Sequence, residues 1–225
     1  MSKCEHCIVR QFNSLKTLTR DELVRVSACK TSKVIKKGDI IFKEGDALNG
    51  IYCIREGVCK LTKLSENGKE QVVKLSVKGG MMGQRSLVSG EHSNLTAVAI
   101  NDMQICFIPK QEILIDLQKN VAFSMDVLKR MAQDLRESDD SIVNMAQKTV
   151  KQRLAQTLLY VERNFATDQE GYLALTLSRD DYASIVGTAT ESAIRILSQF
   201  KKAGLISTKG KQIRIENEYA LMHVE

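Results

Sequence analysis

Hydrophobic and polar positions change their rhythm twice along this chain. Between residues 34 and 108, short apolar runs are broken by nine glycines: Gly38, Gly45, Gly50, Gly57, Gly68, Gly79, Gly80, Gly83 and Gly90. Strand-like pieces lie between them at residues 51–54, 58–64, 71–75, 96–100 and 104–108. Asn67-Gly68 is a hairpin-turn signal between two of these pieces. Many short strands with regular turns predict an antiparallel roll, and the region lacks the alternating long helices of a parallel α/β sheet. Ahead of the roll, Leu18, Leu23 and Val24 with polar residues between them predict a short helix over residues 17–30.

Helical spacing takes over after Pro109, the only proline, with an interruption near Lys119-Asn120. From Val121 the pattern becomes a heptad: Val121, Leu128, Leu135 and Ile142 fall seven apart, and Met131 and Met145 supply the second seam position, with Ser124 and Ser138 among them. Such a seam predicts a coiled-coil dimerisation helix over residues 121–147; a long amphipathic helix packed on its own domain is the alternative. A second helix, from residue 150 to about 165, has one core face of Leu154, Leu158 and Val161. A polar break at 166–171 follows, and Leu173, Leu175 and Leu177 then alternate as in a strand.

Residues 178–205 predict two helices joined by a tight turn. Ala183 allows close helix crossing, and Gly187 supplies a turn residue with positive φ. Ser178 has the position of an N-cap, with Asp181 three residues on. On the second helix, Ala193, Ile196, Leu197 and Phe200 form an inward stripe, leaving Thr190, Glu191, Ile194, Arg195 and Ser198 on the opposite face. Residues 205–207 and 212–215 flank a Lys209-Gly210-Lys211 turn, a β-wing. This is the pattern of a winged helix-turn-helix, which places a helix, here residues 189–200, in the DNA major groove. Arginine suits guanine O6 and N7, and glutamate accepts from the cytosine amino group, so Glu191 and Arg195 are candidate base readers. Glu191 also has the spacing for a capping box with Thr188, or for an ion pair with Arg195. Arg179, Lys209 and Lys211 are candidate phosphate contacts, with Ser178 beside them.

The division expected is therefore a roll with its N-terminal helix over residues 1–120, the dimerisation helix, and a DNA-binding domain over 148–225. The fold class is α+β. Charge sharpens this only locally. The net charge is +6, but residues 148–225 hold 11 Lys or Arg against 9 Asp or Glu. Between Arg195 and Arg214, however, there are six basic residues and no acidic one, a stripe suited to phosphates. The N-terminus lacks an apolar stretch of signal-peptide type, and no run approaches the ~18 apolar residues that span a bilayer. A cytoplasmic, membrane-free protein is expected, in which six cysteines do not form structural disulfides. An enzyme reading fails on ligand count, because the roll holds only His92 and no His/Glu metal cluster.

Three segments make the chain resemble the CRP/FNR family of bacterial transcription regulators, in its FNR-like branch: IKKGDIIFKEGD at 35–46, GIYCIREGVCKL at 50–61, and SIVGTATESAIRILSQFKKAGLI at 184–206. The resemblance spans nearly the whole chain. It implies a cyclic-nucleotide-binding-like roll, a homodimer on palindromic double-stranded DNA, and contact with RNA polymerase. It implies that Glu191 and Arg195 read a GA step, with its complementary C, in each half-site. Ile194 matches neither residue type that the two branches use there, and an apolar side chain suits a thymine methyl. The other reading is a cyclic-nucleotide-type ligand-binding or scaffold module without DNA activity, which the intact helix-turn-helix and wing oppose.

Two ligand expectations follow from the resemblance. Cyclic-AMP-binding members grip the ribose with a Gly-Glu pair and the phosphate with a later arginine. Here Gln84 follows Gly83, and no arginine follows Gly90, so a cyclic phosphate would lack its charge partner. Arg85 lies on the wrong side of the turn. FNR-like sensors hold a [4Fe–4S] cluster with three N-terminal cysteines and a fourth in the position of Cys106. Cys4, Cys7 and Cys106 match; the remaining position is Asn13, with Cys29 the nearest substitute. By itself Cys4-x-x-Cys7 is equally a redox dithiol, part of a zinc site, or incidental. Cys53 and Cys59 are expected as core residues of strands.

Overall fold

The computed structural model describes residues 4–225. The chain opens with three short 3-10 turns, Cys4–His6, Ile8–Phe12 and Ser14–Thr17. Helix α1 (Arg20–Cys29) begins at a capping box in which Thr19 and Glu22 satisfy each other's backbone N–H. Eight strands then build two four-stranded sheets: β1 (Thr31–Ile35), β2 (Ile40–Phe42), β3 (Gly50–Glu56), β4 (Cys59–Leu64), β5 (Glu70–Ser76), β6 (Met81–Met82), β7 (Thr96–Ala99) and β8 (Met103–Pro109). One sheet has the order β1-β8-β3-β6 and the other β2-β7-β4-β5. All five expected strands are present, and Asn67-Gly68 turns the β4–β5 hairpin with Gly68 at φ 77°. Strands β1, β2 and β6 and the short helix α2 (Gln84–Ser89) were not anticipated.

Two apolar cores stabilise this roll. One gathers Cys4, Leu15, Leu18, Leu23 and Val26 from the N-terminal segment with Ile51, Cys53, Cys106 and Ile108 of the β3–β8 pair and Ile113, Phe123 and Val127 beyond it. The other lies around Phe42, Ile54, Cys59, Met82, Met103 and Ile105. Pro109 ends β8 and serves as the N-cap residue of α3 (Lys110–Lys119), which breaks at Asn120 before α4 (Val121–Gln147).

Helix α5 (Val150–Phe165) starts from a Thr149/Gln152 capping box and buries Leu154, Ala155, Leu158, Leu159 and Val161. The segment after it corrects the expected strand: Leu173 makes one isolated bridge to Thr167, and no ladder forms. All three leucines are nonetheless buried, and the Leu173 N–H donates to the Ile213 carbonyl. Their alternation thus reflects one side packed on a core, without strand partners on both sides. Helices α6 (Arg179–Val186) and α7 (Thr190–Lys202), strands β9 (Ile206–Lys209) and β10 (Gln212–Ile215), and helix α8 (Glu218–Met222) complete the chain.

The chain forms two compact units. The first comprises residues 1–63 and 73–136; the second comprises 64–72 and 137–225. Among the described residues no helix is long and apolar enough to cross a membrane.

Candidate nucleic-acid interface and thiol cavity

Helix α6 is fixed at both ends by local chemistry. Ser178 and Asp181 form a reciprocal capping box, and Gly187 ends the helix in the left-handed region at φ 67°. The turn lets α7 cross against α6, burying Tyr182, Ala183 and Val186 of one against Ala193, Ile196, Leu197 and Phe200 of the other. Burial pushes the Tyr182 hydroxyl well above its ordinary pKa, so it stays neutral in this core. Arg153 ties α5 to the turn by donating from Nε to the Val186 carbonyl at 2.8 Å.

This packing turns Glu191, Ile194, Arg195 and Ser198 outward, all exposed. Helix α7 begins one residue later than expected, with Ala189 as its N-cap and no side-chain cap, so the Thr188–Glu191 capping box does not form. No ion pair between Glu191 and Arg195 forms among the described residues either. Both side chains stand one turn apart with their polar ends available. The Thr190 hydroxyl donates to Asp180 at 2.7 Å, and the Ser198 hydroxyl donates to the Ile194 carbonyl at 3.0 Å.

The wing is an antiparallel pair with Gln212 opposite Lys209 and Ile215 opposite Ile206. Lys209 bridges to Glu170 at 3.1 Å and Arg214 to Glu216, with Arg214 Nη2 at 2.7 Å. Arg179 donates from Nη2 to the Gly210 carbonyl at 3.3 Å, linking the start of α6 to the wing turn, while its Nη1 is buried without an acceptor. Lys201, Lys202 and Lys211 are exposed. The sequence-derived readers and phosphate contacts therefore lie on α6, α7 and the wing, although Lys209 and Arg179 are already engaged within the chain.

Along α4 the heptad positions Val121, Leu128, Leu135 and Ile142 are 76%, 54%, 63% and 66% exposed, so the chain's own domains do not cover this stripe. Met131 differs: it packs against the first core of the roll. Met145 lies partly exposed beside Gly187, where an added Cβ would stand 3.3 Å from its sulfur.

The cysteines converge more than their spacing suggests. Cys4 and Cys7 flank a 3-10 turn in which the Cys7 N–H donates to the Cys4 carbonyl at 3.1 Å. The Cys4 N–H is held by Ser27 Oγ at 3.0 Å, and Ser32 Oγ lies 3.6 Å from Cys106 Sγ. A small cavity of about 20 Å³ is lined by Cys4, Cys7, Cys53 and Cys106, with Arg10, Lys30 and Arg55 among its other walls. Desolvation raises the Cys4 pKa, with the nearby Lys30 opposing it. Arg55 Nε is buried without an acceptor. Cys29 is exposed at the end of α1 and does not line the cavity. Cys59 sits in the other core, against Met82, and burial pushes its thiol up to about 12.

The chemistry of this wall suits an iron–sulfur group: soft thiol donors surrounded by cations that would offset thiolate charge, and a buried donor lacking an acceptor. Among the described residues, no three His, Cys, Asp or Glu side chains already stand at metal-holding spacing. The family resemblance pointed to Cys4, Cys7 and Cys106 but not to Cys53, Arg10, Lys30 or Arg55, which only the register of β3 on β8 and the path of the N-terminal turns bring there. At the cyclic-nucleotide position, Gln84 opens α2 with its Oε1 buried and unpartnered, and Arg85 is exposed.

Comparison with known proteins agrees with both halves of this description. Residues 32–120 match the cyclic nucleotide-binding domain, and residues 152–224 match the Crp-like helix-turn-helix domain. The fumarate and nitrate reduction regulatory protein of Escherichia coli is 32% identical over 224 residues, spanning 97% of this chain and 88% of that protein. Its counterpart in Klebsiella oxytoca is 31% identical over 220 residues, spanning 95% and 86%. Among solved structures, FixK2 from Bradyrhizobium japonicum aligns with a TM-score of 0.76 at 26% identity, covering 85% of this chain and 95% of that one.

Proposed function

The chain belongs to the CRP/FNR family of DNA-binding transcription regulators, a family without enzymatic activity, and on that premise we propose how this member reads DNA and receives its signal. Helix α7 enters the major groove and reads a GA step and its complementary C through Glu191 and Arg195. The observation that carries this is their shared exposed face, one turn apart and unpaired, on a helix whose other face is packed against α6. Lys211, Lys209 and Arg179 hold phosphates on either side. The Lys209–Glu170 bridge is solvent-exposed and so is easily exchanged for a phosphate. The apolar stripe of α4, from Val121 through Leu128 and Leu135 to Ile142, pairs with a second copy, so that two α7 helices meet two half-sites. RNA polymerase is the further partner, as the resemblance implies.

The signal is received at the thiol cavity. Cys4, Cys7 and Cys106 would hold an iron–sulfur cluster, whose bound iron supplies sensitivity to oxidants. Lys30, Arg10 and Arg55 would offset the thiolate charge and donate hydrogen bonds to sulfur, the environment that tunes such groups. Cyclic AMP is not the ligand in this reading, because Gln84 replaces the ribose-binding carboxylate and no arginine waits for the phosphate.

Mobility-shift titrations on a palindrome with TGA-type half-sites test the DNA reading. Glu191→Ala and Arg195→Ala should each weaken binding to that site by about 1–3 kcal/mol while leaving binding to unrelated DNA nearly unchanged. Equal discrimination by wild type and variants would remove these residues from base reading.

A further inference from the structure

We propose that Cys53 is the fourth thiolate of the iron–sulfur site, completing the set of Cys4, Cys7 and Cys106 in place of the cysteine that is Asn13 here. The inference rests on the reading that this cavity binds a cluster, and it names the ligand that the resemblance leaves missing.

The β3–β8 ladder sets Cys53 directly opposite Cys106. Directly paired residues on antiparallel strands point to the same face, with Cβ atoms about 4.5–5.5 Å apart. Both are 5% exposed and share one apolar core with Cys4, which the N-terminal turn brings over them. Cys53 lines one cavity together with Cys4, Cys7 and Cys106, the three ligands expected from the resemblance.

The other candidates are placed less well. Cys29 is exposed at the end of α1, outside the cavity. Asn13 lines the cavity, but its Oδ1 accepts from the Leu15 N–H to cap the next turn. Cys59 belongs to the other core. The remaining walls favour a group of net negative charge. Arg10, Lys30 and Arg55 line the same cavity as the four cysteines, and the orphaned Arg55 Nε would gain a sulfur acceptor.

The cavity is water-sized, so loading requires part of the wall to move. Cys53 and Cys106 are fixed by their ladder. The N-terminal turns are the yielding side, being short 3-10 pieces with weaker hydrogen bonds and a half-buried Cys7. On ligation each thiol gives its proton to solvent as its sulfur displaces another ligand from an iron, so that one iron–ligand bond breaks as each iron–sulfur bond forms and no oxidation state changes.

Anaerobic reconstitution of the full chain with equal amounts of ferrous and ferric iron and with sulfide, followed by gel filtration and assay of bound iron, acid-labile sulfide and visible absorbance, tests the assignment. Wild type, Cys29→Ser and Cys59→Ala should retain the iron, the sulfide and the broad visible band. Cys53→Ala and the bulkier Cys53→Val should lose the band and most of the iron and sulfide. Their iron-free forms should keep the far-ultraviolet circular dichroism and unfolding midpoint of iron-free Cys59→Ala, a matched loss of a buried thiol outside the cavity. Wild-type iron and sulfide in either folded Cys53 variant would overturn the assignment and leave the cluster reading intact. A wild-type chain that takes up no iron would overturn the cluster reading, and the assignment with it.

Discussion

Asp116 is a carboxylate placed where its charge is hard to hold. It is 1% exposed, Arg25 pairs with its Oδ1, and its Oδ2 is buried without a partner. Desolvation is the largest influence and pushes its pKa up to about 6, with Arg25 pulling downward and Glu22 and Glu112 pushing upward. The folded chain therefore binds this proton more tightly than the unfolded chain does. The resulting stability is full below the unfolded value of about 4 and is lost as pH rises through about 6. Between those limits the unfolding free energy of wild type should fall by about 2–3 kcal/mol relative to Asp116→Asn, measured by denaturant titration. Parallel pH profiles would contradict this. Gly187 is a second residue with a specific duty, since its left-handed φ and the 3.2–3.3 Å approach of Gln71 and Met145 leave little room for a Cβ. Gly187→Ala should destabilise the chain by about 1–2 kcal/mol, read from the urea midpoint. The glycine's role was legible from its place between two periodic segments. The role proposed for Cys53 was not, because a cysteine within an apolar run reads as core until strand register sets it opposite Cys106.

At the scale of elements, α7 and the wing should separate into two classes of DNA contact. Lys211→Ala should weaken all DNA sequences alike and reduce the salt dependence of log K by about 1. Arg195→Ala should instead act on the GA-containing site. If Lys211→Ala altered sequence preference, the wing would be reading bases. For α4, Leu128→Glu and Leu135→Glu introduce charge into the exposed stripe and should yield monomers in sedimentation, with loss of tight palindrome binding. Unchanged sedimentation would assign dimer formation elsewhere. Helix α5 was legible to its ends because its apolar stripe is regular and its cap is written in Thr149 and Gln152. The heptad of α4 was legible too, but one period serves two purposes: Met131 turns to the roll while Leu128 and Leu135 face outward. Strand β1 escaped notice because four of its five residues are exposed, leaving no alternation to see. Helix α2 escaped because it spans six residues between left-handed Gly83 and Gly90, punctuation that reads as turn.

At the scale of the molecule, the sequence pattern carries the order of parts, and the three-dimensional arrangement carries the convergence of thiols and cations. The net charge of +6 is spread along the chain, so DNA affinity depends on where the unpaired cations lie more than on their number. The thiol cavity belongs to the first compact unit and helix α7 to the second. On the proposed reading, a signal at the cavity appears as a coupling free energy at the DNA, and couplings of this kind amount to about 1–3 kcal/mol, or roughly 5- to 150-fold. The most direct measurement is the dissociation constant for a palindrome with TGA-type half-sites, determined at one salt concentration on a single iron-loaded preparation before and after exposure to air. The two constants should differ by at least about fivefold, with iron lost or altered in the air-exposed sample. Equal constants, despite a measured change in bound iron, would contradict a regulator that reads DNA with α7 and takes its signal at the cysteines.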